Sequence, residues 1–161
     1  MARIVAGMTT DMTQSTTVRL AVEELAPHMA EAMSAFEDAS RASQLEPSLQ
    51  ELVRARASQI NGCVYCVLMH NRDARKAGES QRRLDALPVW RETPLFTARE
   101  KAALELTESV TRLAGHEVAY EVWNRVAEHF TETELAELLW VIAVINAWNR
   151  LGAAARPWPL T

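Results

Sequence analysis

Along most of this chain, apolar residues recur every three or four positions, with polar residues between them. This spacing matches the period of an amphipathic α-helix, whereas the alternation that indicates strands is almost absent. Glycine, which interrupts helices, occurs only five times in 161 residues. The pattern therefore predicts an all-α protein of about six to seven helices. The expected helices cover 18–43, 47 to about 60, 63–76, 80–86, 98–113, 117–130 and 131–154.

Several short signals predict where these helices begin and end. Pro47 suits the first turn of the second helix, because its missing N–H has no partner there in any case. The Asn61-Gly62 pair suits the end of that helix and a tight turn into the third, which we expect to start at Cys63. Capping boxes are expected at the starts of two of the last three helices. Thr97 with Glu100 forms one, and Thr131 with Glu134 forms the other.

Length and composition favour one domain. At 161 residues and 18.0 kDa, the chain is large enough for a single core. Residues 1–17 are rich in Met and Thr and read as a flexible tail, and residues 156–161 form a short Pro-containing tail. The helical domain is expected over residues 18–155, with Pro27 as a kink or a new start within the first helix.

The last helix is the most apolar segment. Between Leu135 and Trp148, twelve of the fourteen residues are apolar. A helix that is hydrophobic on nearly every side is buried on nearly every side. We therefore expect it to be the central core helix, a subunit interface, or both together, and we expect a homo-oligomer.

Charge argues against two classes of partner. Seventeen basic residues against twenty-one acidic residues give a net charge of −4, with no basic block, so nucleic acid is not expected to bind. No apolar run reaches the roughly 18 residues of a membrane-spanning helix, and residues 1–17 lack the apolar core of a signal peptide. We expect a cytoplasmic protein without a membrane partner.

The two cysteines are the strongest chemical signal. Cys63 and Cys66 are the only cysteines, so they can pair with each other, with a metal or with another molecule. A structural zinc site would need further Cys or His ligands at suitable spacing, which the sequence lacks, so neither metal nor cofactor is expected. A permanent disulfide across so short a loop stabilises little. In a reducing cytosol such a pair is more often catalytic.

Helical geometry brings other groups close to this pair. Cys63 at the start of a helix would meet unpaired N–H groups and the positive end of the helix dipole, which stabilise a thiolate. At 3.6 residues per turn, Cys63, Cys66 and His70 share one helix face, so His70 can exchange a proton with Cys66 directly or through water. Glu51 on the preceding helix is positioned to reach back across the turn.

The order Glu51-x11-Cys63-x2-Cys66-x3-His70 resembles the signature of the AhpD-like alkylhydroperoxidase family, within the carboxymuconolactone decarboxylase superfamily. The resemblance covers roughly residues 25–155 and is far more specific than a bare CxxC pair. The stretches that carry it are 52–79 (LVRARASQINGCVYCVLMHNRDARKAGE), 87–111 (LPVWRETPLFTAREKAALELTESVT) and 145–151 (INAWNRL).

This resemblance implies an AhpD-like helical fold and a thiol peroxidase acting on alkyl hydroperoxides or hydrogen peroxide. It implies that Cys66 is the peroxidatic thiol, oxidised to a sulfenic acid, and that Cys63 donates a proton and then resolves the sulfenate as a disulfide. It also implies that Glu51 and His70 form a proton relay. The implied partners are a dithiol reductant protein, lipoyl-bearing or thioredoxin-like, and further copies of the chain in a trimer or hexamer.

The residues beside the thiols differ from the family pattern at one point. Better-characterised peroxidases of this family carry a histidine between the cysteines, where this chain has Val64-Tyr65. Tyr65 and Met69 are expected to line the substrate entrance. The dipole argument makes Cys63 the more acidic thiol, whereas the resemblance makes Cys66 the oxidised one. The two agree if Cys63 is the exposed thiol that exchanges with the external reductant.

Two other functions remain open from the sequence. One is a carboxymuconolactone-decarboxylase-like enzyme, although that branch does not rely on a CxxC pair. The other is a non-catalytic dithiol redox sensor or oligomeric protein. Arg54 and Arg56 are interpreted as solvated or paired, Asn146 and Asn149 as hydrogen-bonded to neighbouring helices or chains, and Trp158 as a residue of the tail that docks on a neighbouring subunit.

Overall fold

The computed structural model describes residues 18–115 and 117–160, and the expected flexible tail over residues 1–17 lies outside them. The described residues form eight α-helices and one 3-10 helix, and no strand occurs among them. The predicted all-α class is therefore confirmed. The elements are α1 (Val22–Leu25), α2 (Pro27–Arg41), α3 (Pro47–Asn61), α4 (Val64–Lys76), α5 (Gln81–Ala86), the 3-10 helix (Leu87–Glu92), α6 (Ala98–Thr111), α7 (Tyr120–Ala127) and α8 (Glu132–Ala155).

Most boundaries follow the local signals in the sequence. Pro47 lies in the first turn of α3, and both predicted capping boxes form, at the starts of α6 and α8. The predicted helix over 18–43 is two helices, because Pro27 starts α2 and does not merely kink it. The segment after α5, to which the sequence assigned no helix, is a 3-10 helix, and α7 is shorter than the predicted 117–130.

Helix α3 lies at the centre of the fold. It contributes Leu49 and Val53 to an apolar cluster shared with α6, α7 and α8. From its other side, Leu52 and Ala55 join a second cluster with α4, α5, the 3-10 helix and α6. Because both cores share α3, the helix is buried on nearly every side.

The expectation that the last helix is buried on nearly every side is wrong, although Leu138, Val141 and Ile142 place it in the first apolar cluster. The expected subunit interface stays a prediction. Helix α8 packs one side against α3 but leaves Ala136, Trp140 and Ala143 exposed, with Trp140 61% exposed. Apolar content did not identify α3 as the most buried helix, because α3 carries buried polar residues that lower its mean hydropathy. Within the described part of the chain, α8 alone has the length and apolar composition of a membrane-crossing helix. Half of that stretch is buried in the fold, and core helices meet the same criterion.

Candidate active site

The turn between α3 and α4 positions the two cysteines. Gly62 closes α3 in the left-handed conformation (φ 68°), which a residue without a side chain adopts at little cost. Cys63 is the N-cap residue of α4, one position before the first turn in which it was expected. Its sulfur accepts a hydrogen bond from the backbone N–H of Cys66 (3.4 Å), and its own N–H donates to the carbonyl of Ser58 (3.1 Å).

Cys63 and Cys66 are joined as a disulfide, so the structure represents the oxidised form of the pair. Each residue is only 2% exposed. The expectation of an exposed Cys63 that exchanges with an external reductant is therefore wrong for this form. The two residues differ in another respect, because Cys66 lines a cavity at the protein surface and Cys63 is not part of its wall.

Helix α8 covers the disulfide through Gly152. A Cβ atom at this position would lie 2.7 Å from Cys63 Sγ, 3.4 Å from Cys66 Sγ and 2.9 Å from the Trp158 ring. Real Cβ atoms do not approach other atoms to 2.7 Å, so the close contact of α8 with the sulfurs requires glycine. Sequence analysis missed this residue, although an isolated glycine inside an apolar helix is a signal of close approach.

The predicted neighbours His70 and Glu51 meet in the structure. His70 is 1% exposed, and its Nδ1 lies 2.8 Å from Glu51 Oε2. Its other ring nitrogen, Nε2, is buried without a hydrogen-bond partner among the described residues. His70 and Cys66 line the same cavity. The geometry thus holds the imidazole by one nitrogen and leaves the other available for a bound molecule.

Positive groups around Glu51 keep its carboxylate ionised. Burial raises the pKa of Glu51, but the hydrogen bond and charge of His70, with Arg54 and Arg41, outweigh burial and lower this pKa overall. Arg41 Nη1 donates to Glu51 Oε1 at 3.0 Å, and Arg54 Nη1 lies 3.7 Å from the same oxygen. An ionised carboxylate accepts a hydrogen bond from Nδ1 and so fixes the orientation and the tautomer of the imidazole.

Arg54 is one of the residues whose role the sequence did not reveal. It is fully buried, and its guanidinium donates to Gln50 Oε1 (2.9 Å) and Ser40 Oγ (2.8 Å). It is therefore paired and not solvated. The guanidinium connects α3 with α2, so the two helices that carry Glu51 and Arg41 are held together behind His70.

An asparagine cluster fixes the α3–α4 turn against α8. Asn61 Nδ2 donates to Asn146 Oδ1 (2.9 Å) and to Asn149 Oδ1 (3.0 Å). Asn149 Nδ2 in turn donates to Ser58 Oγ (2.9 Å), and Asn146 Nδ2 donates to Thr111 Oγ1 (3.1 Å). The predicted hydrogen bonds of Asn146 and Asn149 to neighbouring helices are confirmed. They hold the turn that presents Cys63.

Tyr65 and Met69 line the cavity beside Cys66, where the sequence predicted them. The cavity has a volume of about 280 Å³. Trp148 and Trp158 complete an aromatic wall, with Trp158 stacked on Tyr65 at 4.7 Å between ring centroids. Trp158 therefore packs on Tyr65 and Trp148 of its own chain, whereas the sequence predicted that it docks on a neighbouring subunit. The sequence signal for this packing was the position of Trp158 between two prolines, because such a segment has few conformations.

Metal-binding side chains do not cluster near the site. Within residues 18–115 and 117–160, no group of three or more His, Cys, Asp and Glu side chains could hold a metal ion. What the described site offers is a disulfide, an imidazole held by a carboxylate and an aromatic cavity wall. These groups suit thiol and proton-transfer chemistry.

Comparison with known proteins identifies the family. The sequence model of the carboxymuconolactone decarboxylase family matches residues 27–109, which include both cysteines, Glu51 and His70. The chain belongs to this family. Its relative YdfG, an uncharacterized protein of Bacillus subtilis (strain 168), is 38% identical over 84% of this chain and 92% of that protein.

Solved structures of similar proteins share the AhpD-like fold of this family member. A protein of unknown function from Agrobacterium tumefaciens, ATU0492, named as a candidate antioxidant defence protein AhpD, has a TM-score of 0.87 and 31% identity. The match covers 90% of this chain and 99% of that one. A peroxidase-related protein of Ralstonia eutropha JMP134 with an alkylhydroperoxidase AhpD core has a TM-score of 0.76 over 86% and 74% of the two chains. At 22% identity, this second likeness concerns the fold alone.

Proposed function

We propose that this protein is a thiol-dependent peroxidase that reduces alkyl hydroperoxides or hydrogen peroxide. Cys66 is the peroxidatic residue, Cys63 the resolving residue, and Glu51 with His70 the proton relay. One observation carries the proposal: Cys66 and His70 line the same cavity, and Glu51 holds the imidazole by Nδ1 while Nε2 stays unpaired. A peroxide in this cavity would meet a thiolate and a proton donor together.

The first half-reaction begins with the reduced pair. The relay removes the proton from Cys66, and the thiolate sulfur attacks one oxygen of the hydroperoxide. The O–O bond breaks, the leaving alkoxide takes a proton and departs as the alcohol, and Cys66 becomes a sulfenic acid. The sulfur loses two electrons, and the peroxide gains them.

The second half-reaction forms the bond that the structure contains. Cys63 sulfur attacks the sulfenic sulfur of Cys66, the hydroxyl leaves as water with one proton, and the Cys63–Cys66 disulfide results. An external dithiol then reduces this disulfide by two successive exchanges and becomes a disulfide itself. The two cysteines are thus restored as thiols.

Access to the disulfide favours one of the two classes of reductant. Both cysteines are 2% exposed, and the cavity beside Cys66 is the opening next to them. A dihydrolipoyl group on its slender chain can enter such a cavity, whereas a thioredoxin-like protein presents its thiols on a broad surface. We therefore propose a lipoyl-bearing reductant that attacks the sulfur of Cys66. We also propose that the protein is cytoplasmic, because thiols are kept reduced in that compartment.

Further copies of this chain are the second partner that we propose. The exposed side of α8 presents Ala136, Trp140 and Ala143 in one stripe, and Trp140 contacts Phe36 edge to face (5.7 Å). A contiguous apolar surface of this kind is typical of protein interfaces. A trimer or hexamer that covers this stripe is the expected assembly.

The peroxidase proposal is tested by following cumene hydroperoxide consumption by the reduced protein, with dihydrolipoamide for regeneration. Cys66→Ser is expected to abolish consumption, because the nucleophile is lost. Without dihydrolipoamide, Cys63→Ser should consume one equivalent of peroxide and leave Cys66 as a sulfenic acid that dimedone labels, whereas the parent protein ends as the disulfide. If both variants consume peroxide at the parental rate, the proposal is wrong, and a decarboxylase that does not use the thiols becomes the better hypothesis.

A further inference from the structure

We propose that Tyr65, Trp148 and Trp158 form a binding subsite for the aryl group of an uncharged organic hydroperoxide. The proposal rests on the peroxidase function above and names the substrate class that the same cavity takes. Trp158, which lies beyond the last helix, is the residue that we expect to determine this specificity.

The three aromatic rings form one continuous surface next to Cys66. Tyr65 and Trp158 are stacked with their planes inclined by 26°, and the rings of Trp148 and Trp158 lie 6.0 Å apart at 57°. All three residues line the cavity with Cys66. Flat apolar surfaces bind an aryl group by offset or edge-to-face contact. Hydrogen peroxide has no apolar group and gains nothing from this wall.

The cavity size limits the substrate further. Its volume of about 280 Å³ lies just below the range of roughly 300–1,000 Å³ that is typical of small-molecule sites. A substituted benzene ring suits this space, whereas a long lipid chain would extend out of it. We therefore assign the site to small hydroperoxides.

The aromatic wall exists before substrate binds, because the segment that carries Trp158 is fixed at its base. Arg156 ends α8 in the left-handed conformation and turns the chain back towards α4. The N–H of Leu20 donates to the carbonyl of Ala155 (3.0 Å), and the Arg19 guanidinium donates to the carbonyl of Ala154 (2.8 Å). A preformed wall costs little ordering entropy on binding.

Charge on the opposite side of the cavity favours an uncharged substrate. Arg41 is the one arginine or lysine among the described residues of the wall. Its guanidinium already pairs with Glu37 Oε1 (2.8 Å) and Glu51 Oε1 (3.0 Å), and His70 Nδ1 is likewise bound to Glu51. The carboxylates of this wall are Glu23, Glu37 and Asp38. These carboxylates would repel an anionic substrate, and the arginine of the wall is already paired with two carboxylates.

The first test compares kcat/KM for cumene hydroperoxide with kcat/KM for hydrogen peroxide. In Trp158→Ala we expect the ratio of the two to fall about tenfold, because the aryl contact is lost and hydrogen peroxide makes none. Trp158→Phe should recover most of the ratio. Trp123→Ala is the matched control, since Trp123 is an exposed tryptophan of α7 outside the cavity, and it should leave the ratio unchanged.

The outcomes separate this inference from the peroxidase proposal. If Trp158→Ala lowers both kcat/KM values equally, Trp158 has only a structural role and the subsite is wrong, while the peroxidase function stands. If the parent protein reduces neither peroxide, the function itself is wrong, and the assignment to hydroperoxides is wrong with it.

A second measurement tests the charge argument. Cumene hydroperoxide and its para-carboxylate derivative have the same aryl group and differ by one negative charge. We expect kcat/KM for the carboxylate to be at least about tenfold lower at neutral pH, through repulsion by the acidic wall. An equal or higher value for the carboxylate would overturn the assignment to uncharged substrates.

Discussion

Glu51 and Glu108 are both buried carboxylates surrounded by arginines, yet their partners give them different properties. Glu51 shares its oxygens among Arg41, Arg54 and the imidazole of His70. Glu108 accepts from Arg56 (2.8 Å), Trp90 (2.9 Å), Arg91 (2.7 Å) and Arg112 (3.1 Å). The partners of Glu108 are three arginines and an indole, whereas one partner of Glu51 is an imidazole, which can both donate and accept a proton.

The comparison shows that burial and charge pairing alone do not identify a catalytic carboxylate. Burial raises the pKa of Glu108, but hydrogen bonds from Arg91, Trp90 and Arg56 lower it to about 2. That residue stays ionised and ties the 3-10 helix to α3 and α6. Glu51 is distinguished by the histidine it holds and by the cavity which that histidine lines.

The largest effect is expected from Glu51→Gln. The amide keeps the shape of the side chain but is a weaker acceptor for His70 Nδ1 than the carboxylate, so the imidazole is held less well and proton transfer from Cys66 becomes slower. We expect kcat/KM for hydrogen peroxide to fall about hundredfold at pH 7. Stopped-flow measurement of peroxide consumption checks this, with Glu108→Gln as the matched control. Equal losses in the two variants would remove the distinction between the carboxylates.

Glu108→Gln should instead affect stability. The change leaves three guanidinium groups around a neutral amide, and breaking a buried ion pair in this way costs about 3 kcal/mol. Urea unfolding followed by circular dichroism measures the change in the free energy of unfolding. A destabilisation below about 1 kcal/mol, the size expected of an exposed ion pair, would contradict a structural role for Glu108.

The pH dependence of stability follows from the same residue. The pKa of Glu108 is about 2 in the folded protein against an ordinary value of 4.5. Because the folded value is the lower one, the stabilisation is fully present above about pH 4.5 and is lost as the pH falls towards 2. The difference in unfolding free energy between the parent and Glu108→Gln should therefore be constant from pH 7 to about 5 and shrink below that.

The smallest effect is expected from Arg112→Ala. Arg112 bonds the same carboxylate as Arg56, but its side chain is 55% exposed, so water screens the pair. We expect a loss of at most about 1 kcal/mol in urea unfolding. A loss as large as that of Glu108→Gln would mean that the exposed Arg112, and not the buried Arg56, provides most of the stabilisation around Glu108.

The sequence predicted those parts of the site that depend on local signals. The Asn61-Gly62 pair predicted the turn, and helical spacing placed Cys66 and His70 on one face. The prediction that Glu51 approaches His70 required only the assumption that α3 and α4 pack side by side. The catalytic roles of these residues stay predictions until the variants are measured.

The parts that were missed depend on contacts between distant segments. The sequence left Arg54 as either solvated or paired, and only the packing of α2 against α3 shows that it is fully buried and paired. The burial of helix α3 was underestimated for the same reason. The burial of α8 was overestimated because the apolar content of a helix does not reveal which side faces solvent. Trp158 lies 92 positions beyond Cys66, and spacing carries no information over such a distance.

Gly152 gives the site an optical property. Because it has no side chain, the Trp158 ring and the Cys63 sulfur both lie against the same point of α8. Disulfides close to indole rings quench tryptophan emission more strongly than thiols do. Reduction of the Cys63–Cys66 bond should therefore brighten the intrinsic fluorescence of this protein, and the proposed cycle can be followed without an added dye.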